Sequence, residues 1–356
     1  MSETSFLKRR WKLLLNIITI SALLLIAFAI RHQLADTLEN LTKVRAWVLL
    51  LIIPIEVLNY HAQAKLYQGL FAVLDEKISY PNLLKLALEL NFVNHVFPSG
   101  GVSGISYFSI RLRSFNIRGA KATLVQTMKL MLYFIAFEPL LLLAMFILAV
   151  NGRVNSFTIL IGGSLTMLLL AGTGIFAYII GSQTRINAFL TALTKFINQV
   201  IHFFRPGSPE TINIVNAGLS FEDFHSNYLL FRSRYKELKR PFWWSMVANI
   251  TEIAVIYVVY VAFGTYVDVG AIILAYAVAN FAGLISVLPG GTGIYEALMT
   301  IVLVAAGIPA RLSLPVTIMY RVINTVLQLP PGYFLYHRAL HARPKEVIDH
   351  GQSPIY

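Results

Sequence analysis

Residues 286–300 read SVLPGGTGIYEALMT, and the reading of this stretch decides the fold. One proline and three glycines interrupt an apolar run, and a carboxylate, Glu296, follows them. In a soluble enzyme a glycine-rich turn that opens a helix is a cradle for phosphate. Here the flanks, 270–285 and 301–309, are almost wholly apolar. The same holds further out. The 356 residues are 57% hydrophobic and 13% charged, whereas soluble domains carry about 25% charged residues. Mean hydropathy is +0.67, and the excess is spread along the chain. That composition describes an all-α polytopic membrane protein, with the turn inside a hydrophobic segment. The chain has no cysteine, which removes disulfides and thiolate metal sites from consideration.

Apolar runs at 13–30, 46–66, 120–150, 156–180, 241–263 and 313–336 each approach or exceed the roughly 20 residues that cross a hydrocarbon core of about 30 Å. They predict about six full transmembrane helices. Two more apolar regions, 81–110 and 270–309, are broken by Pro/Gly clusters. The first run follows Lys8, Arg9, Arg10 and Lys12; it is longer than the about 7–15 residues of a signal-peptide core and reads as a retained anchor helix.

With the N-terminus inside and each broken region entering and leaving on one face, most of the 29 Lys and Arg fall on the inner side, clustered in 8–12, 111–121 and 183–240. Only Arg31, Lys43, Arg45, Arg153 and Arg311 fall outside. That is the positive-inside bias, so N-in and C-in is the expected orientation. The net charge of +12 is thereby explained without nucleic acid, which is excluded as a partner. Lys65, Lys129 and Arg321 remain within or beside membrane segments, with Glu56, Glu89, Glu138, Glu252 and Glu296. Lys65 and Glu89 are read as side chains snorkelling near an interface. Lys129 and Arg321, about ten residues into their helices, are read as facing a polar cavity.

Pro98 and Pro289 lie 191 residues apart, and the same offset pairs Gly100 with Gly291, Ile117 with Ile308, Met128 with Met319 and Pro139 with Pro330. VFPSGGVSGI matches VLPGGTGI. The repeating unit is one span, one broken hairpin and one span, at 46–150 and again at 241–337 within a single membrane domain, 1–356. By the topology above the first copy starts outside and the second inside, giving an inverted repeat, the usual pointer to a transporter site near the bilayer midplane. Seven residues from Gly104 to Arg111 rise about 10 Å as helix, too little to cross the core; the first broken region is therefore a re-entrant hairpin. The second has longer legs and stays open between re-entrant and spanning, with the repeat favouring the former. Backbone at such a turn must be buried in protein or line a wet cavity. The helix starting near Gly293 would aim its positive end at the turn and suit an anionic headgroup; tight helix crossing through small residues is the competing reading.

Between the copies, 182–240 is a polar linker. Phe189, Leu193, Phe196, Ile197, Val200, Ile201 and Phe204 recur at helical spacing opposite Lys195, Asn198 and Gln199, predicting an amphipathic cytoplasmic helix on the membrane or under the bundle. Arg205–Pro209 breaks it, and Ser220-x-x-Asp223 is expected to cap a second helix.

These residues resemble a known family. LPGGTGIYEALMTIVLVAAGIP followed by MYRVINTVLQLPPGYFLY is similar to the signature of the lysylphosphatidylglycerol synthase transmembrane, flippase-like family, in its YbhN-like form without the soluble aminoacyl-transfer domain. The family pattern P-G-G-x-G-x-x-E falls on Pro289, Gly290, Gly291, Gly293 and Glu296; its Arg in the next span falls on Arg321, and its Pro/Gly pair on Pro330 or Pro331 with Gly332. Many members carry a Gly-Glu pair after the first-copy proline, where this chain has Pro98-Ser99-Gly100-Gly101-Val102-Ser103-Gly104 and no carboxylate. The resemblance implies a protein that moves or binds lipids; lipid synthesis is not carried over.

The function expected is a lipid flippase or lipid-binding transporter for an anionic headgroup, in the bacterial cytoplasmic membrane, multi-pass, and not an enzyme. The substrate site is expected from Asn94, His95, Pro98, Ser99, Gly100, Gly101, Lys129, Pro289, Gly290, Gly291, Gly293, Glu296, Arg321 and Asn324. Lys129 and Arg321 would neutralise a phosphate. Glu296 has three roles open to it: gating, pairing with a buried cation, or structure. No cofactor or metal is expected, and the partners are membrane lipids, with a homodimer or a lipid-synthesis protein as further candidates. The alternative is a proton-coupled small-solute transporter with a relay through Glu56, His61, Glu138, Glu252 and Glu296.

Overall fold

A computed structural model describes residues 21, 39–40, 44–97, 102–204, 214–285 and 293–341. The first apolar run apart from Ser21, the 205–209 break and both Pro/Gly turns lie outside them, and with the turns Pro98, Ser99, Gly100, Gly101, Pro289, Gly290 and Gly291.

Regular structure among the described residues is helical. A short 3-10 turn, Ala46–Leu51, leads into α1 (Ile52–Val73); then come α2 (Tyr80–Val96), α3 (Val102–Arg113), α4 (Gly119–Val150) and α5 (Ser156–Ile180). The linker holds α6 (Gln183–Phe204) and α7 (Ile214–Ser233). A second 3-10 turn, Tyr235–Leu238, leads into α8 (Lys239–Ala262), followed by α9 (Val269–Ile285), α10 (Ile294–Ala305) and α11 (Ala310–His341).

Five helical stretches are long and apolar enough to cross a membrane: Ala46–Val73, Gly119–Val150, Ser156–Ile180, Tyr235–Ala262 and Ala310–Leu340. They match five of the six expected spans, with the first, the fourth and the fifth longer than the apolar runs suggested. With no strand among the described residues, the chain is an all-α multi-pass membrane protein. The helices α3 and α10 have 12 residues each and rise about 18 Å, well short of the core thickness.

Helix lengths recur along the chain. α2 and α9 have 17 residues each, α3 and α10 have 12 each, and α4 and α11 have 32 each. Pro139 and Pro330 stand at the same place in the two longest helices. A proline there removes one helical hydrogen bond, which is tolerable where neighbouring helices re-satisfy the freed carbonyl.

Packing is exchanged between the halves. α1 lies along α8, α2 against α11, and α9 against α4. Three glycines permit these approaches. A Cβ on Gly69 would stand 2.7 Å from the Pro241 ring; on Gly270, 2.6 Å from the Ala144 carbonyl; on Gly332, 2.6 Å from Phe92 Cβ and 2.8 Å from the Leu88 carbonyl. Gly332, read above as half of a Pro/Gly pair, is thus where α11 closes on α2. Polar ties reinforce the exchange: Asn151 donates to Asp268 at 2.7 Å, and Asn249 to the Tyr133 carbonyl at 3.1 Å.

The linker departs from expectation at one point. α7 begins at Ile214, so Ser220 and Asp223 lie inside the helix rather than at its cap. α7 then packs on α4, with Phe231 fully buried among residues of α1 to α4. After it, Arg234 donates to the Val73 carbonyl at the end of α1 (3.1 Å) and pairs with Asp75 at 2.7 Å. The guanidinium thus satisfies an orphan carbonyl at a helix C-terminus while its charge complements the dipole.

Candidate functional site

Glu296 and Arg321 are the first pieces of the site. Gly293 ends the second Pro/Gly turn with φ +89°, a conformation that glycine adopts without strain. Its N–H donates to Glu296 Oε2 at 2.6 Å, so the carboxylate three residues into α10 caps the helix start. The other carboxylate oxygen lies 3.4 Å from Arg321 Nε, an ion pair that is not aligned as a hydrogen bond. Arg321 also stacks over the Tyr295 ring at 4.4 Å. Of the three roles open to Glu296, the geometry displays two, cation pairing and structure.

Arg321 stands eleven residues into α11, a rise of about 16 Å along a helix long and apolar enough to cross a membrane. It borders two adjoining chambers. The larger, about 380 Å³, is mixed in character and lined by Asn94, His95, Tyr133, Asn249, Tyr276, Asn280 and Tyr295 together with apolar side chains of α4 and α5. The smaller, about 210 Å³, is polar and lined by Asn91, Glu252, Tyr320, Asn324, Thr325 and Gln328. His95, Tyr276, Asn280, Tyr295 and Arg321 border both. His95 Nδ1 lies 2.9 Å from the Asn91 carbonyl; since a carbonyl only accepts, Nδ1 carries the proton and Nε2 is the ring's remaining acceptor when neutral.

Behind the chambers a hydrogen-bond network joins the two halves. Gln328 donates to Glu56 at 3.2 Å and to Asn324 at 2.6 Å, and accepts from Asn91 at 2.7 Å. Asn59 donates to Thr251 at 2.8 Å and to Glu252 at 3.2 Å; the Tyr320 hydroxyl donates to the other Glu252 oxygen at 3.4 Å. Glu56 and Glu252 therefore sit in one polar layer between α1, α8 and α11 and take hydrogen bonds from neutral groups.

Of the sequence-derived candidates, Asn94, His95, Asn324 and Arg321 come together, with Glu296 bound to the last. Lys129 does not join them. Its ammonium donates to Tyr67 at 3.0 Å and Gln63 at 3.3 Å, and sits over the rings of Tyr67 (4.7 Å) and Tyr133 (5.4 Å). It borders neither chamber, so a single phosphate shared by Lys129 and Arg321 is not what the arrangement offers. The reason is rotational: Lys129 pairs by offset with Tyr320, one residue short of Arg321, and one residue turns a helix face by about 100°.

Glu89 also departs from its reading as a snorkelling group. It is 1% exposed, accepts from Arg111 Nε at 3.0 Å and Tyr107 at 2.8 Å, and so clasps α2 to α3. Lys65 bonds Gln68 at 3.0 Å and lies over the Tyr80 ring. The relay drawn from the sequence is not assembled as a chain: His61 is held by Tyr80 at 2.8 Å, and only Glu56 and Glu252 share the central layer.

Tyr276, Asn280, Asn249 and Asn91 were missed. A signal existed: in α9, VGAIILAYAVANFAGLI, Tyr276 and Asn280 are the only side chains with hydrogen-bonding groups, four apart on one face. No group of three or more His, Asp or Glu that could hold a metal comes together among the described residues.

Comparison with known proteins agrees with this architecture. The profile described as the lysylphosphatidylglycerol synthase TM region matches residues 13–332. A UPF0104 membrane protein of Methanocaldococcus jannaschii is 22% identical over 272 residues, 75% of this chain and 77% of the relative. Another UPF0104 membrane protein, of Methanothermobacter thermautotrophicus, is 32% identical over 92 residues, a match that spans 28% of its length and 26% of this chain. Since the matched region covers most of the chain, the chain belongs to the lysylphosphatidylglycerol synthase TM region family.

Proposed function

We propose that this protein binds a lipid with an anionic headgroup in the Arg321 chambers and moves it across a cytoplasmic membrane, as a transporter rather than an enzyme. The observation that carries the reading is a guanidinium bordering two joined chambers, on a helix long and apolar enough to cross the bilayer. A planar guanidinium is the side chain best matched to phosphate oxygens. In the low dielectric of the bilayer interior its attraction for an anion is strong, and an unpaired headgroup charge there is costly. Asn94, Asn280 and His95 Nε2 supply neutral hydrogen-bonding partners for the rest of a headgroup.

In this reading 46–150 and 241–337 are inverted units with both termini inside, and α2–α3 and α9–α10 are re-entrant hairpins. The recurrent helix lengths and the short α3 and α10 support it. Alternating access would then be a rocking of α2 on α11 and α9 on α4. A dimer or a lipid-synthesis partner would be built on other surfaces.

The test is lipid movement in proteoliposomes containing fluorescent phosphatidylglycerol. Arg321→Ala is expected to weaken headgroup binding by about 3 kcal/mol, roughly a hundredfold in Kd, with transport falling accordingly. An unchanged rate would overturn the site. A second reading, proton-coupled transport of a small solute, draws on Glu56 and Glu252 lying in one layer beside the polar chamber. Uptake of a soluble organic anion driven by a pH gradient, with no lipid movement, would favour it.

A further inference from the structure

We propose that the space between α4, α5 and α9 is a lateral slot that holds one acyl chain of a phospholipid while its headgroup occupies the Arg321 chambers. This rests on the headgroup reading above and names the other half of the ligand.

The slot is a cavity of about 250 Å³, bordered by Leu130, Phe134, Leu168, Leu169, Gly172 and Phe281 among other side chains. Four of these, Leu130, Phe134, Leu169 and Phe281, also border the larger chamber. The rings of Phe134 and Phe281 stack at 5.6 Å where the two spaces meet. A polar site near a cation thus continues sideways into a hydrocarbon-lined one. A soluble anion has no use for that continuation; a molecule with a phosphate joined to a hydrocarbon chain fits both parts.

The slot exists because α4 and α5 diverge. Near their connection Gly162 lies so close to Met145 that a Cβ would overlap its sulfur. Farther along, Gly172 has nothing within 4 Å of where its Cβ would stand. Only 17% of the most apolar window of α5 is buried, and Leu130 and Leu168 at the slot's rim are 48% and 54% exposed. The open end therefore faces the surrounding bilayer. On α5 the slot runs from Leu168 to Phe176, a rise of about 12 Å. That approaches one leaflet's share, about 15 Å, of the hydrocarbon core, which is the depth an acyl chain occupies. A longer, branched prenyl chain would overrun it.

Gly172 provides a clean obstruction, since it borders the slot and a Cβ there meets no protein atom within 4 Å. Gly174, equally open, borders the slot nowhere and is the matched control. The purified full chain is reconstituted with a phospholipid carrying a photoreactive diazirine in its acyl chain. Labelling is expected on 168–176 and the facing part of α4. Gly172→Phe should lower both labelling there and lipid movement by about tenfold or more, the scale of forcing one extra ring into filled space; Gly174→Phe should leave them unchanged. Binding of glycerol 3-phosphate, the chainless headgroup, is measured by calorimetry on the same variants and on Arg321→Ala.

If Gly172→Phe loses the diazirine lipid and keeps glycerol phosphate, the slot stands. If both survive, the slot is overturned and the headgroup site is untouched. If labelling maps to the slot but Arg321→Ala changes neither ligand, the headgroup reading fails instead. Equal competition by a polyprenyl phosphate at the slot would overturn the choice of an acyl chain. Thermal unfolding midpoints matching the unmodified chain separate obstruction from misfolding, and the smaller Gly172→Leu variant takes over if Gly172→Phe proves unstable.

Discussion

The two broken hairpins resemble each other in length and differ in where they keep their carboxylate. In α2–α3, Glu89 sits mid-helix and is spent on Arg111 and Tyr107, closing one leg on the other. In α9–α10, Glu296 sits at the turn, caps α10 and touches Arg321 on the next helix. The cations of the two halves differ in step. Lys129 is held by Tyr67 and Gln63 away from the chambers, whereas Arg321 borders both. One hairpin is braced within itself; the other is tied to the wall of the site.

The comparison breaks most visibly at Glu89. Glu89→Ala leaves Arg111 without its buried partner and should destabilise the protein by about 3 kcal/mol, read as a lowered unfolding midpoint in detergent, with no specific change in headgroup affinity. A large affinity loss at unchanged stability would contradict a bracing role. Glu296→Gln should act the opposite way. Losing the charge at the α10 cap and beside Arg321 weakens the helix start by about 1 kcal/mol, while the less compensated guanidinium binds an anionic headgroup more tightly. Slower release would then lower transport, and weaker binding in that variant would instead make Glu296 a direct ligand contact.

Lys129→Met removes a cation that borders neither chamber. Glycerol phosphate affinity is expected to change by less than about threefold, within the reach of long-range coupling; a loss matching that of Arg321→Ala would restore the two-cation site read from the sequence. The smallest effect belongs to the linker. The hydrogen bond from Arg234, and then its charge, hold the Asp75 carboxyl below its ordinary value. A depressed folded-state value stabilises above about pH 4, the unfolded value of Asp, and that contribution is lost as pH falls through the lower folded value. Asp75→Asn should therefore lower the unfolding midpoint slightly at neutral pH and converge on the unmodified chain as pH falls below about 4, which flattens the acid limb.

Much of this was readable from residue order. Apolar runs near or above membrane length, the cations between them and the matched Pro/Gly clusters lead directly to long helices interrupted by two short pairs. Arg321 was found because a charge deep in an apolar helix is conspicuous, and His95 because it stands beside the first Pro/Gly cluster. Tyr276 and Asn280 were passed over because a tyrosine and an amide excite less suspicion than a charge, although their spacing marked a face. Glu89 was misjudged for a related reason: position along a helix does not disclose whether a partner waits on the neighbouring one.

By itself the order of residues determined where helices form and stop, because length, apolarity, proline and glycine act locally on the backbone. It determined the recurrence at 191 residues and the presence of a cation in each half. What only the tertiary structure decided is which helix faces which. Membrane helices are apolar on nearly all sides, so their periodicity carries little information about partners. The exchange of α1 onto α8, α9 onto α4 and α2 onto α11 rests on close approaches at Gly69, Gly270 and Gly332. Those contacts join residues far apart in the chain, and no local pattern announces them.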